Sequence, residues 1–382
     1  MSEHQSRRRA WAYLSRVSEA PSPQLHALIA RDGPEAAANA VRQGAVPAAL
    51  AASTQARHHL DSAAADLDHI QALGGRLVTP EDAEWPAWRM VGFAGEHAPS
   101  ARAPIAPVAL WVRGGGRLDE VTDRAVAVVG TRAISGYGEH VTAELCHDLA
   151  ADGWTVVSGA AYGVDGAAHR AALAAGGITA AVLAGGVDRP YPSGHEALLR
   201  RIMVDGVVVS EYPPGTPPAR YRFLARNRLI AGLGEGVVVV EAGWRSGARS
   251  TATWAGALGR AVMAVPGPVT SLGSTGCHRM IRLGEAELVT SAAEVTERVG
   301  RMGELAADPD VTRRPWDDLD PAVAQVFEAL PATGAADLQR ISESCGLPLH
   351  QVRAALPVLE LDRLAVLTED GWARRRVSGG SA

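Results

Sequence analysis

The sequence contains no lysine, so all 37 of its basic residues are arginine. Every phosphate contact from a basic side chain must therefore come from a guanidinium group, which presents a planar fork of donors. Three cysteines, Cys146, Cys277 and Cys345, lie far apart and in no disulfide or metal-binding pattern, which fits a reducing cytoplasm. Because no apolar run approaches about 18 residues and no apolar segment follows the basic N-terminus, neither a membrane span nor a signal peptide is expected.

Acidic residues are scarce in one part of the chain and abundant in the next. The net charge of the 382 residues is −5, which by itself argues against a nucleic-acid-binding protein. Residues 220–282, however, hold nine arginines and only two acids, Glu235 and Glu241, whereas residues 283–382 hold ten arginines and seventeen acids. Such asymmetry within one chain indicates that the protein binds a partner.

The pattern of apolar residues predicts several domains. Residues 1–73 are alanine-rich with helical spacing, and residues 74–116 are irregular and proline-rich as far as a first strand at 109–113. From 126 to about 290, short apolar strands alternate with helices, which predicts a doubly wound parallel sheet within a domain over 74–300. A polar linker over 301–316 precedes three helices and a hairpin over 317–376, a pattern that predicts a winged helix.

The loop after the apolar run Val126–Gly130 is the most informative motif. It reads Gly130-Thr-Arg132 and leads into a helical pattern. The second glycine of a dinucleotide-binding loop is missing, because Arg132 stands at its position. A cationic side chain stands where such a fold brings backbone amides to a pyrophosphate, which points away from NAD. The other strand ends also combine glycines, small hydroxyl residues and helix starts, and parallel strands gather these ends into one anion-binding cleft.

The most basic segment leads into the fourth helix of this alternation. Arg220, Arg222, Arg226 and Arg228 lie within nine residues, together with Tyr221 and Phe223. Guanidinium groups for phosphates and rings for base stacking are what single-stranded nucleic acid requires. Because no acid lies within the segment, an ion-paired solvent-exposed helix face is the less favoured interpretation.

Candidate catalytic groups are few. Asp165 precedes a helical run and is expected to be an N-cap, and His169 and His195 are expected on helix surfaces. Neither a Ser/His/Asp arrangement nor a metal-ligand cluster stands out. The sequence therefore predicts no catalytic residue, no cofactor and no metal.

These motifs, in this order, resemble the DNA processing protein A family, DprA or Smf, over roughly residues 10–376. The specific matches are Val129–Arg132 with Tyr137-Gly138, residues 158–165, Gly185–Asp188 with Tyr191-Pro192, residues 210–215, residues 226–232, Glu241-Ala242 with Ser246-Gly247, and Val265–Gly267. One departure is Leu224, which stands where the family usually has proline before its Arg-Asn-Arg motif.

The resemblance implies an α/β fold with an extended Rossmann-like doubly wound parallel sheet. It also implies a small N-terminal helical domain of the SAM or HhH kind and a C-terminal winged-helix domain. Members bind single-stranded DNA in natural transformation and recombination, protect it and load the recombinase RecA, and many form homodimers. Arg132 and Arg220 would bind phosphate, and Phe223 would stack on a base. The full set of expected single-stranded-DNA contacts is Gly130, Thr131, Arg132, Ser158, Gly159, Ala160, Arg220, Phe223, Arg226, Asn227, Arg228, Ser246 and Gly247.

Two other functions remain open from the residues alone. Phosphoribohydrolase-like nucleotide enzymes share this Rossmann variant but carry Pro-Gly-Gly-x-Gly-Thr followed by a glutamate, whereas residues 246–254 contain no acid. A transcription regulator acting through the winged helix is the second alternative. Against it, residues 317–372 hold three arginines and ten acids, a balance that would repel a phosphate backbone.

Overall fold

The computed structural model describes residues 3–19, 21–94, 104–244, 246–306 and 316–375. The chain divides into two compact units, residues 1–306 and residues 307–382. Most of the predicted linker, residues 307–315, lies outside the described residues, as does Arg376, the last residue of the predicted winged-helix domain. No helix among the described residues has the length and apolar character that crossing a bilayer requires.

Four helices open the first unit: α1 (Glu3–Val17), α2 (Pro23–Arg42), α3 (Ala48–Thr54) and α4 (Ala63–Ala72). Helix α2 begins with a Ser22 cap that accepts from the Leu25 amide at 3.3 Å, and it kinks at Gly33, whose φ is 79°. Leu14 of α1 is fully buried in one cluster with Trp111 and Val208 of the sheet. Residues 1–73, expected as a separate domain, therefore share a hydrophobic core with the sheet.

In the part of the first unit that the structure describes, the strands form one nine-stranded sheet. Its strands are β1 (Gly75–Val78), β2 (Leu110–Arg113), β3 (Ala125–Val129), β4 (Thr155–Ser158), β5 (Thr179–Val182), β6 (Val207–Ser210), β7 (Gly236–Val239), β8 (Ala261–Ala264) and β9 (Glu287–Leu288). The spatial order is β1-β2-β6-β5-β4-β3-β7-β8-β9. Strands β3 to β9 pair in parallel, which confirms the predicted doubly wound core.

The edge formed by β1 and β2 differs from the expectation. Strand β2 pairs antiparallel with β6, and β1 pairs antiparallel with β2, with Leu77 opposite Trp111. The interpretation of residues 75–78 as irregular was wrong. Their short Gly-Arg-Leu-Val run has little strand signal by itself and gains its hydrogen bonds from β2.

Helices cover both faces of the sheet. They are α5 (Ala87–Met90), α6 (Leu118–Val121), α7 (Gly136–Ala151), α8 (Val164–Ala174), α9 (Glu196–Asp205), α10 (Arg220–Leu233), α11 (Ala248–Ala257), α12 (Thr275–Arg282) and α13 (Ala292–Val299). Alternate residues of β3 face opposite sides: Val126 and Val128 pack with α7 and α8, whereas Ala127 packs with α10 and α11. Burial on both faces explains why the central strands are almost entirely apolar.

The second unit contains α14 (Pro321–Ala329), α15 (Leu338–Cys345), α16 (Leu349–Leu361), β10 (Ala365–Thr368) and β11 (Gly371–Arg374). Strands β10 and β11 pair antiparallel, and Ala336 bridges to Trp372. Asp320 caps α14 by accepting from the Ala322 amide at 3.0 Å, with Pro321 in the first turn. The predicted order of three helices and a hairpin is confirmed.

Candidate functional site

A cleft of about 970 Å³ opens at the carboxyl ends of the central strands, between the loop after β3, the first half of α10 and the start of α11. Nine of the thirteen predicted contact residues line it: Gly130, Thr131, Arg132, Arg220, Phe223, Arg226, Asn227, Ser246 and Gly247. Open parallel sheets bind ligands at the carboxyl ends of their strands. The position of the cleft therefore agrees with the position predicted from the strand ends.

A buried carboxylate holds the loop that carries Arg132. The oxygens of Glu241 accept from the Ser135 amide at 2.9 Å and from its hydroxyl at 2.6 Å, and the Glu241 carbonyl accepts from the Thr131 amide at 2.7 Å. Ser135 also caps α7, because its hydroxyl accepts from the Gly138 amide at 3.1 Å. These contacts present the exposed side chain of Arg132 at the mouth of the cleft.

Two aromatic rings lie beside Arg132. Its guanidinium carbon is 5.3 Å from the centre of the half-buried Phe223 ring, whose centre is 5.5 Å from that of Tyr191. Both rings also border a smaller side cavity of about 60 Å³ that includes Ala160 and Tyr162. The cleft thus offers a cation and an aromatic surface within reach of one ligand.

Arg226 and Asp165 form the floor of the cleft. Arg226 is only 5% exposed, and burial lowers its pKa to about 10 although the Asp165 carboxylate raises it. Burial likewise raises the pKa of Asp165 to about 6, against the opposing effects of Arg226, the Ala161 amide and Arg132. The Nε atom of Arg226 has no hydrogen-bond partner among the described residues.

Ser158 and Gly159 do not line the cleft but lie behind the residues that do. The Ser158 hydroxyl donates to the Val128 carbonyl at 2.6 Å and is fully buried, so the expected DNA contact is not available to its side chain. A methyl group at Gly159 would lie 2.4 Å from a guanidinium nitrogen of Arg226 and 2.5 Å from a carboxylate oxygen of Asp165. Glycine is therefore required here for the close approach of this pair.

The four arginines of α10 divide into two kinds. Arg228 is 2% exposed, its two terminal nitrogens lie 2.7 and 2.6 Å from the Glu211 oxygens, and its Nε donates to the Ile105 carbonyl at 2.9 Å. Arg222 is also buried, with its Nε donating to Glu19 at 2.6 Å. The assignment of Arg228 as a DNA contact is therefore corrected: acids distant in the sequence pair with it and with Arg222. Arg220 is exposed and lines the cleft together with Arg226.

The opposite wall is the start of α11. The Ser246 hydroxyl accepts from the Ala248 amide at 3.3 Å, and the Asn227 side chain, only 8% exposed, donates to the Gly247 carbonyl at 3.5 Å. Ser250 and Thr251 also line this wall. Small hydroxyl residues and amides at a helix start suit an anionic group.

Several expectations about polar residues were wrong. Asp165 lies in the first turn of α8, and Gly163 is the N-cap. His169 and His195 are buried: His169 contacts Thr179 Oγ1 at 2.6 Å and the Gly159 carbonyl at 2.7 Å, and burial lowers its pKa to about 4. His195 contacts the Ala160 carbonyl at 3.0 Å. Both histidines support the backbone of the loop that follows β4.

Three residues contribute to the site although they were not among the predicted contacts. Glu241 positions the Arg132 loop, Asp165 accompanies Arg226, and Tyr191 stands next to Phe223. The position of Glu241 directly after an apolar strand could have indicated a role for it. Nothing local in the sequence indicates the pairing of Tyr191 with Phe223.

The chain is similar to known proteins over most of its length. Residues 76–300 match the family model described as DNA recombination-mediator protein A. The chain is 54% identical over 374 residues to a Mycobacterium tuberculosis protein named DNA processing protein DprA, covering 98% of this chain and 96% of that one. It is 39% identical over 275 residues to Protein Smf of Escherichia coli, covering 71% and 72% of the two chains. The X-ray structure of DNA processing protein A from Streptococcus pneumoniae has a TM-score of 0.62 at 32% identity, covering 75% of this chain and 96% of that chain.

Proposed function

Because the chain belongs to the DNA recombination-mediator protein A family, also called DprA or Smf, and so has a role in DNA processing, we propose that its cleft binds single-stranded DNA. The observation that carries the proposal is the juxtaposition of the exposed Arg132 guanidinium with the Phe223 ring at 5.3 Å. A guanidinium group neutralises a phosphate, and a ring stacks on the neighbouring base. Arg220, on the same wall, supplies a second phosphate contact.

The position of the rings favours a single strand over a duplex. Phe223 and Tyr191 lie inside the cleft and not on a convex surface. In a duplex each base is covered above and below by its neighbours, so it cannot offer its face to a ring without leaving the stack. An unpaired strand offers its base faces freely, and because every base has such a face, little sequence preference is expected.

The proposed role is binding and not catalysis. Asp165 is the one acidic residue among the described residues that line the cleft, and it interacts with Arg226 and the Ala161 amide. Among the described residues, no group of three or more His, Cys, Asp or Glu side chains could hold a metal ion. Phosphate neutralisation and base stacking need neither a general base nor a metal.

The finer biological roles follow from the family resemblance. We propose that the protein protects incoming single-stranded DNA, transfers it to the recombinase RecA, forms a homodimer and works in the cytoplasm. The arrangement of the cleft supports the first of these roles, since a strand seated against Arg132 and Phe223 is partly covered. The RecA contact and the dimer surface are supported by resemblance alone.

A binding titration tests the proposal. Labelled oligo-dT, a duplex of equal length and AMP are each titrated against the full chain over a series of salt concentrations. We expect oligo-dT to bind more tightly than duplex or AMP, with affinity falling steeply as salt rises, because several phosphates release their counterions. Equal or tighter duplex binding, or an affinity that does not respond to salt, would contradict the proposal.

A further inference from the structure

An exposed tryptophan and an arginine lie together just outside the cleft. Trp244, in the loop between β7 and α11, is 54% exposed. The guanidinium carbon of Arg279, on α12, is 4.4 Å from the centre of the Trp244 ring. We call this pair the Trp244–Arg279 platform.

Backbone contacts hold the two halves of the platform together. The Gly276 amide in the first turn of α12 donates to the Ala242 carbonyl at 2.7 Å, two residues before Trp244. The Ser246 amide donates to the Gly243 carbonyl at 3.1 Å and closes the turn that carries Trp244. The juxtaposition of ring and guanidinium is therefore built into the fold.

The platform continues the wall of the cleft. Gly243 and Ser246, on either side of Trp244, both line the cleft. Arg282 is exposed one turn beyond Arg279 on α12. A strand that leaves the cleft past Ser246 would therefore meet the indole and then the arginines of α12.

The charge of the platform is not cancelled by neighbouring acids. The sequence has no Asp or Glu between Glu241 and Glu285. Glu285 lies 3.6 Å from Arg249, whereas Arg279 has no ion pair within 4.0 Å in the described part of the chain. The Arg279 Nε is buried and lacks a hydrogen-bond partner among those same residues.

We propose that the Trp244–Arg279 platform binds the continuation of the same single strand of DNA, with a base stacked on Trp244 and a phosphate paired with Arg279. This inference rests on the proposed function of the cleft. Stacking on the indole occupies the face of the guanidinium and leaves its edge donors for phosphate. More than half of the tryptophan surface remains accessible for a base.

The test measures how affinity depends on strand length. Oligo-dT from about 4 to about 16 nucleotides, the range of site sizes of single-strand-binding domains, is titrated against the full chain and its variants. Trp244→Ala should weaken the longest oligonucleotides by about 5-fold or more and leave the shortest unchanged, since only a long strand reaches the platform. Trp244→Phe, which keeps a ring, should restore most of the loss.

Charge and stacking are separated by the salt dependence. Arg279→Ala should lower the salt slope by about one for long oligonucleotides only. Trp88→Ala is the matched control, because Trp88 is 73% exposed on α5 and does not line the cleft. We expect this control to match the parent chain at every length.

Cross-linking gives a readout that is independent of affinity. Oligonucleotides carrying 5-iodouracil near one end are irradiated with the full chain, and cross-linked peptides are identified by mass spectrometry. A cross-link to Trp244 with the long strand and none with the short strand supports the inference. If Trp244→Ala and Trp88→Ala behave alike while Arg132→Ala still weakens binding, the platform is refuted and the cleft proposal stands. If Arg132→Ala also has no effect, both are refuted.

Discussion

The arginines of helix α10 are one residue type with two different consequences. Arg222 and Arg228 are buried and paired with Glu19 and Glu211. Arg220 is exposed and lines the cleft, as Arg132 does. An arginine in this helix therefore serves folding or ligand binding according to whether the fold brings an acid to it.

The largest expected effect is the loss of stability when a buried, ion-paired arginine of α10 is removed. Arg228→Ala leaves the Glu211 carboxylate, whose side chain is only 11% exposed, without its partner. We therefore expect the free energy of unfolding to fall by about 3–5 kcal/mol. Urea denaturation measures this change. Arg220→Ala is the control and should change stability by no more than about 0.5 kcal/mol, as at other exposed positions. An equal loss of unfolding free energy in the two variants would show that the buried and the exposed arginine do not differ in their contribution to stability.

Arg132→Ala tests whether the cleft binds DNA. Charge-assisted hydrogen bonds are worth about 1.5–3 kcal/mol, so affinity for oligo-dT should fall by about 10-fold or more. The melting curve should not change, because the exposed side chain contributes little to packing. Arg201→Ala, an exposed change on α9, should leave affinity unaltered. Wild-type DNA affinity in the Arg132 variant would exclude this residue from the site.

Phe223→Ala and Arg220→Ala separate ring from charge within the cleft. Loss of the Phe223 ring should cost about 1–3 kcal/mol of binding free energy with an unchanged salt slope, because stacking is not ionic. Arg220→Ala should lower the slope by about one phosphate equivalent. Salt titrations of both variants provide the measurement, and parallel shifts in slope would show that the roles are assigned wrongly.

We expect Asp165 to make the DNA affinity of the cleft depend on pH. Its pKa is raised to about 6, so acidification through that value protonates it and removes a negative charge near Arg132 and Arg226. One unit charge about 4 Å away is worth about 1 kcal/mol in water, so affinity for oligo-dT should rise about 5-fold as the pH falls from about 7.5 to about 5.

The Asp165→Asn variant should bind oligo-dT at every pH with the affinity that the parent chain reaches only at low pH. Its affinity should therefore not rise as the pH falls through about 6. The folded state holds the Asp165 proton more tightly than the unfolded chain, whose ordinary value is 3.8. Stability from this group is therefore present at low pH and is lost as pH rises from about 4 through about 6. A variant whose affinity profile parallels the parent would show that Asp165 does not influence the bound phosphates.

The smallest effect is expected from the second unit. Residues 317–372 hold ten acids and three arginines, the opposite balance from the cleft segment. A chain ending at Ala306 keeps the Glu304 contact to Arg124 at 2.9 Å and the whole first unit. We expect its affinity for oligo-dT to stay within a few-fold of the full chain. Loss of binding in a truncated chain that remains folded would assign DNA contacts to the second unit.

Much of the fold could be predicted because its signals are local. The central strands are near-continuous apolar runs, and the helices between them have regular apolar spacing, so element type and order were recoverable. Strand β1 was not, because its four residues become a strand only through antiparallel pairing with β2. Residues 1–73 were recognisable as helices, but their packing on Trp111 and Val208 depends on surfaces far away in the sequence.

The candidate site divides in the same way. The sequence by itself determined that a cationic loop follows a buried strand at Gly130–Arg132, and that arginines and rings alternate from Arg220 onward. Only the tertiary structure decided which of those arginines remain available to a ligand. Glu19 reaches Arg222 across 203 positions, and Glu211 reaches Arg228 across 17. Ion pairing depends on distance in space, and in a folded chain that distance has no simple relation to separation along the sequence.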